Sequence, residues 1–132
     1  MDIQHHLAKI PRWLATALVV AAILYATIAP HPVGADELPL FPGVDKVVHF
    51  IMFATLAAAL LFDLSRSKKA TSAGRVMTVA GVAAVLFGAI DELLQECLTD
   101  NRSGEVLDWL ADAGGVAAVL LIFSAWRLRH QP

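Results

Sequence analysis

Four long apolar runs divide the chain: 13–29, 47–62, 76–90 with a polar extension to 98, and 106–126. Pro30 and Pro32 stop the first, and polar connections separate the rest. A spanning helix needs about 20 mostly apolar residues to cross a hydrocarbon core of roughly 30 Å. The second run reaches that length only with Lys46 and Asp63 placed at the two interfaces. Lipid admits spanning helices or closed barrels only, and a buried soluble bundle is the competing reading. Four such runs with polar loops favour the membrane. The pattern predicts an all-α polytopic membrane protein, a four-transmembrane-helix bundle with spans near 12–29, 46–63, 76–98 and 105–126, in one domain covering 1–132.

Composition supports this reading. Hydrophobic residues make up 58% of the chain, above the usual globular share, and the mean hydropathy is +0.64. A net charge of −2 with no basic stripe gives no footprint for nucleic acid. The single cysteine, Cys97, rules out an internal disulfide. Charge placement carries more. Lys9, Arg12, Arg66, Lys68, Lys69, Arg75, Arg127 and Arg129 fall on one side of the predicted topology, and Lys46 and Arg102 on the other. The positive-inside rule makes the first side cytoplasmic, so both termini lie inside. Loop 30–45 and hairpin 91–112 then face outward. The segment before Ala35 also reads as a secretory signal, although its 17-residue apolar run exceeds a usual signal core. Cleavage would remove the first helix and leave the other three as they are.

The hairpin breaks the apolar pattern. It carries Asp91, Glu92, Gln95, Glu96, Asp100, Arg102, Glu105, Asp108 and Asp112 between two apolar runs. Ionisable groups in spans cost free energy and persist where they pair, line a wet cavity or serve function. At 1.5 Å rise per residue, Asp91 lies about 16 Å below Arg102 and Asp112 about 15 Å, so the two arms match in depth. Glu105, Asp108, Asp112 and Gly115 draw one stripe down the fourth helix. Gly88, Gly114 and Gly115 would let the third and fourth helices approach closely. Asp45 and His49 share a face of the second helix, with Lys46 beside them. Lys46 alone reads as an interfacial residue with a snorkelling head, and His49 alone as an interfacial histidine. The acidic excess changes that weighting: crowded carboxylates in low dielectric are protonated, paired or bound to a cation.

These residues carry a resemblance. Asp45-Lys46-x-x-His49-Phe50, Asp91-Glu92-x-x-Gln95, Arg102-Ser103-Gly104-Glu105 and Asp108-x-x-x-Asp112-x-x-Gly115 look like the VanZ-like family of small membrane proteins. The match runs from about Asp45 to Val119, with motifs in the family's order. Leu94 stands where many relatives have histidine, and 98–101 replaces a common Val-Pro-Gly type of turn. The resemblance implies a compact multi-pass protein of the bacterial plasma (inner) membrane. It also implies a link to the cell envelope and to antibiotic resistance, specifically low-level resistance to the glycopeptide teicoplanin.

Three functions fit an outward-facing polar pocket built from Lys46, His49, Glu92, Gln95, Arg102, Asp108 and Asp112. The first is an envelope accessory factor that engages a lipid headgroup or lipid-linked cell-wall precursor, with Arg102 and Lys46 on phosphate. The second is a small membrane enzyme acting on such a lipid. There Asp91 or Glu92 is the base, His49 its acid/base partner, and Asp108 and Asp112 are candidate ligands for a divalent cation such as Mg²⁺. The third is a proton- or cation-coupled transporter using the carboxylates as a relay. Interhelical hydrogen bonds alone, at about 0.6 kcal/mol each, explain so many charges poorly against about 2.5–3.5 kcal/mol to insert one. The cytoplasmic halves of the spans read as free of embedded charge, which ranks transport last.

Overall fold

The computed structural model describes residues 10–30, 32, 41–66, 72–100 and 104–130. They form four helices: α1 (Leu14–Ile28), α2 (Val44–Ser65), α3 (Ala73–Leu98) and α4 (Val106–Arg129). Local chemistry sets their ends. Ala29, which precedes Pro30, is extended at φ −62°, ψ 135° and stops α1. Gly43 opens α2 at φ +84°, a conformation that a residue with a Cβ adopts only with strain. Ser72 Oγ accepts the Arg75 N–H at 3.2 Å and caps α3. This cap carries the helix three residues ahead of the expected span start at 76.

α2, α3 and α4 are long and apolar enough to cross a membrane. α1 is shorter than the expected 12–29: its 15 residues reach about 22 Å, below the roughly 30 Å of a hydrocarbon core. Trp13 at φ +68° precedes its first turn and Pro30 follows its last.

Burial is inverted relative to a water-soluble bundle. His49, Asp91, Glu92, Gln95, Asp108 and Asp112 are buried, whereas Leu121, Ile122 and Leu128 are 69%, 70% and 71% exposed. Leu18, Ile51, Leu86 and Leu93 add to this apolar exterior. Such a continuous apolar surface is a liability in water and is suited to lipid. The protein is accordingly an all-α membrane protein. Its apolar core, centred on Ile23, Phe53, Leu56, Leu60, Ala80, Ala84 and Val116, lies between the helices.

The most extensive packing is between α2 and α4 rather than between α3 and α4. Gly115 explains the closeness: a Cβ there would collide with the carbonyl oxygen of Phe50. A Cβ at Gly114 would meet the Phe50 ring only in ordinary contact. The expectation that both glycines draw α4 toward α3 is therefore corrected, because they face α2. Gly88 alone of the three glycines serves the α3–α4 approach. α3 and α4 are also joined by Trp109 Nε1, which donates to the Val85 carbonyl at 3.1 Å.

The other end of the bundle holds a buried charge that the sequence reading placed at the edge. Asp63 is 1% exposed, and its Oδ2 accepts the backbone N–H and the hydroxyl of Thr16. The half of the bundle away from the Asp91–Asp112 hairpin is thus not free of embedded charge. The open N-terminus of α1 supplies the donors that make it tolerable.

Candidate functional site

The start of α2, the end of α3 and the start of α4 meet at one end of the bundle. His49 lies five residues into α2, Asp112 six into α4, and Asp91 seven from the end of α3. The helical rise puts all three about 8–10 Å below the helix ends. Equal depth lets them meet.

His49 Nδ1 lies 2.9 Å from Asp112 Oδ1, a hydrogen bond with both groups buried. Glu92 Oε1 lies 3.6 Å from the same nitrogen. That is close enough for an ion pair and too long for a good hydrogen bond. Glu92 is held from its other oxygen, since Oε2 accepts the Glu105 N–H at 2.7 Å. One turn along, Glu96 Oε2 accepts the Gly104 N–H at 2.9 Å. Two α3 carboxylates therefore hold the chain that leads into α4. Gly88 leaves room for Asp112: a Cβ there would lie 2.9 Å from Asp112 Oδ2 and 3.2 Å from the Phe53 ring.

Asp91 sits beside this group with partners of its own. Thr27 Oγ1 of α1 donates to its Oδ1 at 2.9 Å, and Gln95 Nε2 lies 3.4 Å from its Oδ2. Thr27 is a partner that the sequence reading missed. Its signal was faint: it is the one threonine near the C-terminal end of run 13–29, and its hydroxyl, with a single proton to give, also lies 2.9 Å from the Ile23 carbonyl.

Lys46 forms a separate, more exposed cluster. Its Nζ is 2.7 Å from Asp45, 3.0 Å from Glu105 and 2.9 Å from Asp108. Three carboxylates surround one ammonium, so Lys46 is not a spare cation for phosphate. Arg102, the other basic residue assigned to this side, lies outside the described residues, as does most of loop 30–45. Phe41, at the end of that loop, is exposed.

Among the described residues, two groups have metal-ligand spacing. In one, ligand atoms of His49, Glu92 and Asp112 all lie within 4.8 Å of one another and all three residues are buried; the other comprises Asp45, Glu105 and Asp108. Asp108 and Asp112, paired in the sequence reading as ligands of one cation, belong to different groups. The turn of helix between them directs Asp108 to Lys46 and Asp112 to His49. Chemically, the inner group offers an imidazole oriented by a carboxylate, together with a second carboxylate. The outer group already contains its own cation.

Neither the curated proteins nor the solved structures compared with this chain yield a match. A family model described as VanZ/LLP1 matches residues 5–127, nearly the whole chain. The matched region takes in α1, α2, α3, all but the last two residues of α4, and both polar groups, and on that extent of agreement the chain belongs to the VanZ/LLP1 family.

Proposed function

We propose that this is a four-span protein of the bacterial plasma membrane with both termini inside, the short α1 crossing where the bilayer thins locally to meet it. In this reading its outward polar end engages a lipid headgroup or a lipid-linked cell-wall precursor, as an envelope accessory factor. One observation carries it: a buried His49–Asp112–Glu92 group lies at the end where three apolar helices converge, within lipid-depth reach of a headgroup. The balance of groups shapes the ligand. Carboxylates exceed bases among the described residues, and Lys46 is compensated threefold. The described side chains therefore suit hydroxyl or ammonium donors on the headgroup better than a bare phosphate held by Lys46. A role in glycopeptide (teicoplanin) resistance would follow from binding such a precursor.

Mass spectrometry of lipids retained through detergent exchange tests this reading. Wild type should retain a defined polar lipid, depleted about tenfold, equal to about 1.4 kcal/mol, in Asp112→Asn. Identical lipid profiles in the two proteins would refute it. Teicoplanin susceptibility of cells lacking the protein then tests the link to resistance.

The 2.9 Å contact between His49 and Asp112 favours a second reading, an enzyme acting on that lipid. A carboxylate that fixes an imidazole's orientation makes it a better acid/base group. Conversion of the retained lipid by wild type, lost in His49→Gln with binding intact, would select this reading over the accessory role.

A further inference from the structure

We propose that His49, Glu92 and Asp112 form a binding site for one divalent transition-metal cation, of the Zn²⁺ or Mn²⁺ type. The proposal deepens the reading of the same buried group and stands whether or not a headgroup binds there. The first observation is spacing. Tetrahedral coordination with bonds of about 2.0–2.1 Å separates ligand atoms by roughly 3.3 Å. His49 Nδ1 is 2.9 Å from Asp112 Oδ1 and 3.6 Å from Glu92 Oε1, values that bracket this separation. Small side-chain rotations would seat all three on one ion.

The second observation is unmet hydrogen-bonding capacity. Glu92 Oε1 and Asp112 Oδ2 are buried and have no hydrogen-bond partner among the described residues. The residues are 8% and 0% exposed, and Glu92 Oε1 is directed at His49. Buried anionic oxygens without donors are expensive. A cation beside them removes that cost, and a divalent ion balances the two carboxylates.

The donor set narrows the ion. Ca²⁺ and Mg²⁺ take oxygen ligands, whereas imidazole suits zinc and other first-row metals. Three protein ligands also leave a coordination position open, as in catalytic rather than structural zinc sites. The surroundings hold the ligands in place: the Glu105 N–H fixes the far oxygen of Glu92, and Gly88 admits Asp112. Such supporting contacts orient ligands in metal sites generally. The neighbouring Asp45–Glu105–Asp108 group makes the contrast, because the ammonium of Lys46 already bridges its carboxylates.

The test uses the full chain in detergent, stripped with chelator and then offered ZnCl₂, MnCl₂ or MgCl₂ singly. Elemental analysis after desalting should give one equivalent of metal, with affinity at least tenfold lower in Glu92→Gln and in His49→Gln. Zinc X-ray absorption on wild type should show one imidazole nitrogen with oxygen neighbours, a readout that needs no variant to fold. The double variant His5→Ala, His6→Ala separates this site from adventitious capture by the N-terminal histidines and should bind as wild type does. The proposal is overturned by absence of stoichiometric binding, by binding of Mg²⁺ alone, by loss of metal in the His5/His6 variant, or by a zinc spectrum without imidazole.

Discussion

Asp63 of α2 caps α1 from across the bundle: its Oδ2 accepts the Thr16 backbone N–H at 3.0 Å and the Thr16 hydroxyl at 2.7 Å. Thr16 is the third residue of α1, whose N-cap position, Trp13, supplies no side-chain bond. The first amides of a helix need outside acceptors, and here a neighbouring helix provides one. Nearby, Arg66 donates to the Ile10 carbonyl at 2.8 Å. The attachment of the shortest helix therefore depends on polar contacts at one end and on Thr27–Asp91 at the other.

Asp63→Ala should destabilise the folded protein by about 1–3 kcal/mol, the range for losing charge-assisted hydrogen bonds to buried groups. Thr16→Val removes the hydroxyl and keeps the amide, so its cost should be smaller. Combining the two substitutions tests whether they report one contact. Coupling of at least about 0.5 kcal/mol is expected for residues that touch. Strict additivity in detergent unfolding titrations would exclude the cap.

Two glycines should respond in opposite directions. Gly115→Ala places a methyl group against the Phe50 carbonyl, in the tightest helix contact of the bundle. Backbone cannot give way as a flexible side chain can, so α2 and α4 must separate, with a loss of several kcal/mol typical of overpacking at its upper end. Gly74→Ala meets nothing within 4 Å and replaces a poor helix former in α3, worth up to about 1 kcal/mol in favour of folding. Equal unfolding midpoints for the two variants would contradict the α2–α4 geometry.

Much of this arrangement could be read from the chain. Apolar run length located the helices, and residue rise alone matched Asp91 and Glu92 in depth to Asp112. Helix rotation was harder to read. Spacing placed Asp108 and Asp112 on one stripe, but one turn is enough to send them to different partners, Lys46 and His49. Gly114 and Gly115 were visible as small residues, but which helix they admit depends on packing between elements distant in sequence. Asp63 looked interfacial because its partner, an amide at the start of α1, has no residue-type signature.

Lys46→Met should lower the unfolding midpoint by more than a typical exposed lysine substitution. It leaves Asp45, Glu105 and Asp108 facing one another without the ammonium that separates them. Lys46→Arg keeps the charge and should recover most of the loss. Screening supplies the diagnostic, because Lys46 and two of its partners are solvent-accessible. The Debye length falls from about 10 Å at 0.1 M salt to about 3 Å at 1 M, so the Lys46→Met deficit should shrink at high salt. A deficit unchanged by salt would mean that packing of the lysine stem, not charge, is what the substitution removes.

Orientation can be tested with the thiol the protein already carries. Cys97 is exposed and lies one residue from the end of α3, at the same end of the bundle as Lys46. Ser72 caps the opposite end of that helix. α3 spans 26 residues, about 39 Å by helical rise, enough to put its two ends on opposite sides of a bilayer. Arg66, Arg75, Arg127 and Arg129 cluster toward the Ser72 end, which the positive-inside rule makes cytoplasmic. In intact cells a membrane-impermeant maleimide should therefore label wild type at Cys97. Cys97→Ser should abolish that labelling. Adding Ser72→Cys to the Cys97→Ser background should restore it only after the membrane is permeabilised. Labelling of Ser72→Cys from outside intact cells, with Cys97 protected, would invert the topology and place the His49–Asp112–Glu92 group on the cytoplasmic side.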